Sequence, residues 1–275
     1  GDAAHVMSPF GARGLNSGAA DAENLAWKLA VRLRGEAPDA LVETYDRERR
    51  AAALENLAVT DRTMRFMVPH GVGRRAARNA ILRGSLRVPA LRRLVNSGRL
   101  AEPFSYAGSP IVARGAGDVG GVAPDFACER LGAARERVTR LRELVGGDFL
   151  VLLAGPRDAP RAAAAAVRAS RLAYPTRVRV AAVGPDRPLR DVAVVRADPD
   201  GMAPYEAAGP RAWLIRPDGH IAASLAIDEP ADVDALPELV AMAIGAGRVA
   251  AAAPSRARRA RQSARHAPVG RAGGD

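Results

Sequence analysis

Between residues 149 and 244 short apolar runs alternate with turn signals, and their order constrains the fold more than any other feature of the chain. Phe149-Leu150-Val151-Leu152-Leu153 reads as a continuous apolar strand that stops at Ala154-Gly155. Residues 162–172 read as a helix, 178–183 as a second strand and 202–208 as a short helix. Ala212-Trp213-Leu214-Ile215-Arg216 and His220-Ile221-Ala222-Ala223-Ser224-Leu225 flank Pro217-Asp218-Gly219, a hairpin signal. A last helix covers 233–244, and residues 135–144 suggest another short helix ahead of the first strand. Strand, helix, strand, helix, hairpin, helix is the order of a small mixed sheet covered by helices.

The first hundred residues have a different rhythm. A Gly- and Pro-containing loop over 1–18 runs into a helical pattern over 16–33, where Leu25, Leu29 and Leu33 recur every four residues and Trp27 and Ala30 widen the apolar face. Gly35 and Pro38 end it. Asp39 is placed to cap a second helix through Tyr45 to Leu57, with Glu43 and Arg47 as an i,i+4 pair. Residues 61–99 carry ten arginines among short apolar groups and read as short helices broken near Pro69, Gly71, Gly84 and Pro89. Gly and Pro then become dense over 101–125, which suggests an extended connection.

The net charge of +11 raises the question of nucleic acid or an anionic membrane. Residues 248–275 supply seven arginines against one acid, Asp275, and elsewhere the excess is spread through the chain. Lys28 is the only lysine. This is a solvated basic surface without a reader motif, so neither nucleic acid nor membrane is expected as a partner. The tail from 248 lacks an apolar period and is expected to be disordered. Cys128 is the single cysteine, which excludes an internal disulfide and a CxxC pair and suits a reducing compartment. The apolar runs are too short to span a bilayer, and the cytoplasm is the expected location. No metal site is expected.

The chemistry-bearing stretch is Gly1-Asp2-Ala3-Ala4-His5-Val6-Met7-Ser8-Pro9-Phe10-Gly11-Ala12-Arg13-Gly14-Leu15-Asn16. Asp2 can accept a hydrogen bond from a sugar-like hydroxyl, and the Gly-rich turn can deliver helix-start amides to an electron-rich acceptor. The string, with Asp21-Ala22-Glu23-Asn24-Leu25-Ala26-Trp27-Lys28-Leu29 after it, resembles the second FAD fingerprint of the aromatic-ring hydroxylases. Thr44-Tyr45-Asp46-Arg47-Glu48-Arg49-Arg50 is similar to that family's Tyr-x-x-Glu-Arg element, and Ser8 replaces its usual proline. Ala212 to Ala223 resembles the hairpin of the thioredoxin-like C-terminal domain found in phenol hydroxylase and its relatives.

The resemblance implies an α/β protein: the C-terminal part of an FAD-binding hydroxylase fold followed by a thioredoxin-like domain. Its expected divisions are residues 1–105, largely helical, a linker over 106–130, the thioredoxin-like domain over 131–247 and the tail over 248–275. It implies FAD as cofactor, with Asp2 on a ribityl hydroxyl, Pro9 near the isoalloxazine and substrate, Gly11 in the turn, and Gly14, Leu15 and Asn16 at the pyrimidine edge. No catalytic residue follows, and His5 and His220 read as structural. The implied activity is hydroxylation of a phenolic substrate with oxygen and NAD(P)H. The alternative is a catalytically incomplete fragment or assembly module, partnered in a homodimer or by a complementing N-terminal chain. No Gly-x-Gly-x-x-Gly on a βαβ unit occurs in the chain.

Overall fold

The computed structural model describes residues 1–7, 13–95, 103–114, 118–131, 138–156, 158–173, 176–183, 188–207 and 209–247. The basic tail, Pro9 and Gly11 lie outside them. One mixed seven-stranded sheet organises the C-terminal half. Its strands are β1 (Ala127–Arg130), β2 (Val138–Arg140), β3 (Phe149–Ala154), β4 (Val178–Val183), β5 (Ala193–Ala197), β6 (Arg211–Ile215) and β7 (Ile221–Ala226), in the spatial order β2-β1-β5-β4-β3-β6-β7. β3 pairs parallel with β4, β4 parallel with β5, and the other neighbours are antiparallel.

β3 is buried at every position, which is why it reads as an unbroken apolar run rather than an alternating one. Phe149, Val151 and Leu153 face one core with the alanine stripe of α7 (Ala159–Leu172) and with α9 (Leu236–Ala243). Leu150, Leu152 and Ala154 face a second core with Tyr106, Phe126, Trp213 and residues of α6 (Leu141–Val145) and α8 (Pro199–Glu206). The βαβ unit and the β6–β7 hairpin agree with the order expected from sequence.

Residues 135–144 depart from expectation: 138–140 form strand β2 and helix begins only at Leu141. Pairing of Ala127 with Arg140 and Cys128 with Thr139 overrides a weak local helical pattern. The stretch expected to be an extended connection is packed against the hairpin. Tyr106, Ile111, Val112, Val119 and Ala123 are buried, and the Ala113 and Gly120 amides donate to the Ala222 and Ile221 carbonyls, each at 2.8 Å. At Gly120, with φ +93°, an added Cβ would stand 2.3 Å from the Ala107 nitrogen, so only glycine fits this crossing.

The N-terminal half is helical: α1 (Asp2–His5), α2 (Arg13–Leu33), α3 (Ala40–Met67), α4 (Val72–Ser85) and α5 (Pro89–Val95). α1 and the early start of α2 fall in the stretch expected to be loop. Asp39 precedes α3, but its side chain makes no capping bond; Arg32 holds it instead.

The face of α2 is the main correction. Leu29 and Leu33 are exposed, at 39% and 82%. The buried stripe is Ser17, Asp21, Asn24, Lys28 and Val31, together with Trp27. Trp27 meets Phe149 edge-on at 5.7 Å and seats α2 against the sheet.

Candidate functional site

Among the described residues, four of the expected cofactor-binding set, Asp2, Gly14, Leu15 and Asn16, sit at the start of the two N-terminal helices. Asp2 opens α1 and is exposed. Gly14, Leu15 and Asn16 belong to the first turn of α2, where amides have no acceptor within the helix. Low helix propensity costs little there, which is why the helix starts earlier than its apolar period suggests. Leu15 is 83% exposed, and an added Cβ on Gly14 would meet nothing within 4 Å. No acidic side chain occupies the first turn, so the positive end of this 21-residue helix is not offset from within it.

α1 and α2 are joined by buried polar contacts. His5 Nε2 lies 2.7 Å from Asp21 Oδ2, and Arg49 Nε of α3 donates to Asp21 Oδ1 at 2.6 Å. The other Arg49 nitrogens donate to the Tyr106 hydroxyl at 2.8 Å and to the Ser17 carbonyl and hydroxyl at 3.2 and 3.3 Å. Arg13 reaches Asn56 of α3. His5 is thus a buried partner of a carboxylate.

One residue earlier on α3, Glu48 sits at a second centre. Its carboxylate accepts from Lys28 at 2.8 Å, Asn24 at 2.7 Å, Ser109 at 2.6 Å and Arg216 at 2.7 and 2.9 Å. Arg216 also donates to Asp218 of the hairpin turn at 2.5 Å, and the Trp27 indole donates to Asp218 at 3.0 Å. The side chains of Lys28 and Arg216 are 0% exposed.

Burial alone would push the Glu48 carboxyl up, but Arg216 and Lys28 hold it down at about 2. Asp218 is also held below its ordinary range: Arg216 and His220 overcome the cost of burial. At Lys28 burial prevails over Glu48 and pushes the ammonium down to about 8. Pairing favours the charged form of both groups, and burial outweighs it only at Lys28. The 2.8 Å contact supports an ionised pair at neutral pH.

Glu48, Arg49 and Asp218 stand within motifs that the sequence alone leaves without a role. The available signal was the spacing of Asp21, Asn24, Lys28 and Val31, which puts three polar residues on one helical stripe. Buried polar groups on such a stripe require partners.

A cleft of about 870 Å³ runs beside this region, lined by Arg13, Asn16, Tyr106, Asp125, Arg142 and His220 among others. It takes Asn16 from the expected set, but not Asp2, Gly14 or Leu15. Among the described residues no group of three His, Cys, Asp or Glu could hold a metal ion, and no helix is long and apolar enough to cross a membrane.

Residues 1–63 match the family model described as FAD binding domain, and residues 116–247 match the one described as aromatic-ring hydroxylase, C-terminal. The chain belongs to the FAD-dependent aromatic-ring hydroxylase family. It is similar to the tetracenomycin A2 monooxygenase-dioxygenase of Streptomyces glaucescens, 39% identical over 228 residues, which are 81% of this chain and 36% of that enzyme. It is also similar to a 3-(3-hydroxy-phenyl)propionate/3-hydroxycinnamic acid hydroxylase of Mycolicibacterium smegmatis, 35% identical over 153 residues, 55% of this chain and 27% of the relative. The chain therefore spans well under half the length of these curated relatives. Among solved structures, the flavin-dependent monooxygenase PieE in complex with FAD and substrate aligns with a TM-score of 0.65 and 22% identity over 88% of this chain and 46% of that one, a likeness of fold.

Proposed function

We propose that this aromatic-ring hydroxylase chain supplies one wall of a flavin site in an FAD-dependent monooxygenase that hydroxylates a phenolic ring with oxygen and NAD(P)H. The observation that carries the reading is an exposed carboxylate, Asp2, together with the helix start at Gly14-Leu15-Asn16, where Leu15 and Asn16 are exposed, both tied to one buried hub, Asp21. This donor set fits FAD. A carboxylate accepts from ribityl hydroxyls, and outward amides at the positive end of a long helix suit an electron-rich ring edge. Pro9 and Gly11 belong to the same reading.

When bound, FAD supplies the hydride-accepting and oxygen-activating chemistry. The chain's own residues do the holding and polarising. Asp2 binds a ribityl hydroxyl. The amides at 14–16 and the dipole of α2 favour negative charge at the pyrimidine edge, as preorganised donors do at an oxyanion. His5 and Asp21 keep α1 seated without exchanging a proton with substrate.

The reading carries a division of the chain into an FAD-domain part over 1–105, a connection over 106–130 and a thioredoxin-like domain over 131–247. The chain's single cysteine, Cys128, precedes that last domain and is buried, its thiol pushed up to about 11 by burial, so the domain serves structure or assembly rather than disulfide exchange. We place the protein in the cytoplasm. Its partners are a phenolic substrate and oxygen, with either a second copy or a chain bearing the adenine-binding fold.

A second reading, an incomplete or assembly module, is compatible with the same findings. Titration with FAD followed by gel filtration separates the two. Stoichiometric retention of flavin absorbance supports a working wall; complete loss of flavin overturns it in favour of the module.

A further inference from the structure

The Tyr-x-x-Glu-Arg element of α3 is left without a role by the reading above, yet its Arg49 is among the most fully engaged side chains described. All three guanidinium nitrogens are used, on Asp21, Tyr106 and Ser17, and the residue is 6% exposed. A planar fork bonded at three nitrogens has one orientation. Its partners lie on two different parts of the chain, α2 and the segment that carries Tyr106.

We propose that Arg49 is the positioning residue of the flavin wall. It clamps the His5 end of α1 and the second turn of α2 in one arrangement, so that Asp2 and the Gly14–Asn16 amides are presented together. This deepens the flavin reading and rests on it. His5 is the buried residue of α1, and its ring is anchored on Asp21, the carboxylate that Arg49 holds from the other side. Asp2, Ala3 and Ala4 are exposed, so apolar packing does little to fix α1. At the start of α2, Leu15 and Asn16 are exposed as well, and the Arg13 contact with Asn56 ties that turn to the same helix, α3.

Tyr106 extends the clamp to the sheet. Its hydroxyl accepts from Arg49, while its ring stacks on His220 at 4.3 Å and lies 5.1 Å from the Arg216 guanidinium. Its amide donates to the Gly120 carbonyl at 2.7 Å, which ties it to the segment crossing the hairpin. The hairpin turn and the helix starts are thereby joined through Tyr106 and Arg49. Arg49 touches neither cofactor nor substrate in this scheme; it acts through α1 and α2.

The test compares the full chain with Tyr106→Phe, Arg49→Lys and, as a control, Tyr205→Phe. Tyr205 is a buried tyrosine whose hydroxyl donates to the Pro124 carbonyl at 2.6 Å and not to a residue of the clamp. Amide hydrogen exchange reads the helix starts and FAD titration reads the wall. Losing a hydrogen bond to a charged group should speed exchange over residues 2–5 and 13–20 by about tenfold in Tyr106→Phe. Exchange in β3 and β6 should stay as in the wild type. Arg49→Lys, which keeps the charge but not the fork, should behave the same way, and both variants should weaken FAD binding. Tyr205→Phe should change neither.

Unchanged exchange at the helix starts in both clamp variants overturns the proposal, as does an equal change in Tyr205→Phe. If the wild type binds no FAD while the clamp variants still free the helix starts, the flavin reading fails and the clamp stands. If the wild type binds FAD and the variants bind it equally well, the clamp fails and the flavin reading stands.

Discussion

Glu48 and Arg49 are neighbours on α3, yet they serve different parts of the molecule. Successive residues on a helix point about 100° apart, which aims Glu48 at the hairpin of the sheet and Arg49 at the helix starts. Glu48 is enclosed by Lys28, Asn24, Ser109 and Arg216, contributed by α2, the buried crossing segment and the end of β6. Arg49 lines the cleft that Arg13 and Asn16 also border. The Glu48 centre is a joint between the helical part and the sheet, where charge is buried only because it is fully paired. The Arg49 centre orders a rim whose outer residues remain exposed. The comparison teaches that one motif can tie a fold together with one residue and shape a site with the next.

The sharpest way to break the comparison is to remove each centre in turn. Glu48→Ala leaves Lys28 and Arg216 buried without their shared acceptor and should cost on the order of 3–5 kcal/mol of stability. Arg49→Met should cost less, because Asp21 keeps its contact with His5. Urea unfolding of both variants decides it. Equal losses would show that the two centres are one network.

Acid offers a second separation. The Glu48 carboxyl is held at about 2 against an ordinary 4.5. A depressed carboxyl stabilises above its unfolded value, so this contribution is fully present above pH 4.5 and is lost as pH falls through 2. Asp218, also held low, acts in the same direction. The wild type should lose on the order of 3 kcal/mol across that window. Glu48→Gln, with no charge to titrate there, should show a flatter profile. Parallel profiles would remove Glu48 as the source.

Much of this joint was hidden in the sequence, while the half of the sheet formed by β4, β3, β6 and β7 was not. β3, β4 and the hairpin announce themselves because strands buried on both faces need continuous apolar residues. β1, β2 and β5 are short and depend on one another for pairing, so nothing local marks them. α2 misleads for a different reason. Leu25, Leu29 and Leu33 form the cleaner apolar stripe, yet the buried face carries Asp21, Asn24 and Lys28, whose partners come from residues 5, 48, 49 and 218. Helical periodicity finds a face; it cannot see acceptors contributed from nearly two hundred residues away. The expected flavin residues were legible as a string, and the hub that holds them, Asp21 with Arg49, was legible only as membership of motifs.

A smaller effect sharpens the joint further. Trp27→Phe keeps a ring against Phe149 but removes the indole donor to Asp218. Arg216 still satisfies that carboxylate, so the loss should be about 1–2 kcal/mol. The helix starts should be untouched, since Trp27 lies more than three turns beyond Arg13 in α2. A change of FAD affinity in this variant would mean that the joint, and not the Arg49 rim, governs the wall.

The smallest expected effect on stability belongs to the residue that matters most for the proposed site. Asp2 is exposed and lies at the start of α1, so removing its carboxylate leaves no buried group unsatisfied. Asp2→Ala should therefore melt at the wild-type temperature. If it accepts a ribityl hydroxyl, the variant should bind FAD about tenfold more weakly, the scale of one hydrogen bond to a charged acceptor. Asp2→Asn, which keeps an acceptor oxygen without the charge, should fall between the two. An isothermal titration of the three chains with FAD, run beside their melting curves, checks this. Loss of affinity at constant stability would separate site from scaffold at the opposite extreme from Glu48→Ala, where stability goes first and any loss of flavin follows from it. Unchanged affinity in Asp2→Ala would remove the exposed carboxylate from the wall and leave the α2 amides to carry the flavin reading.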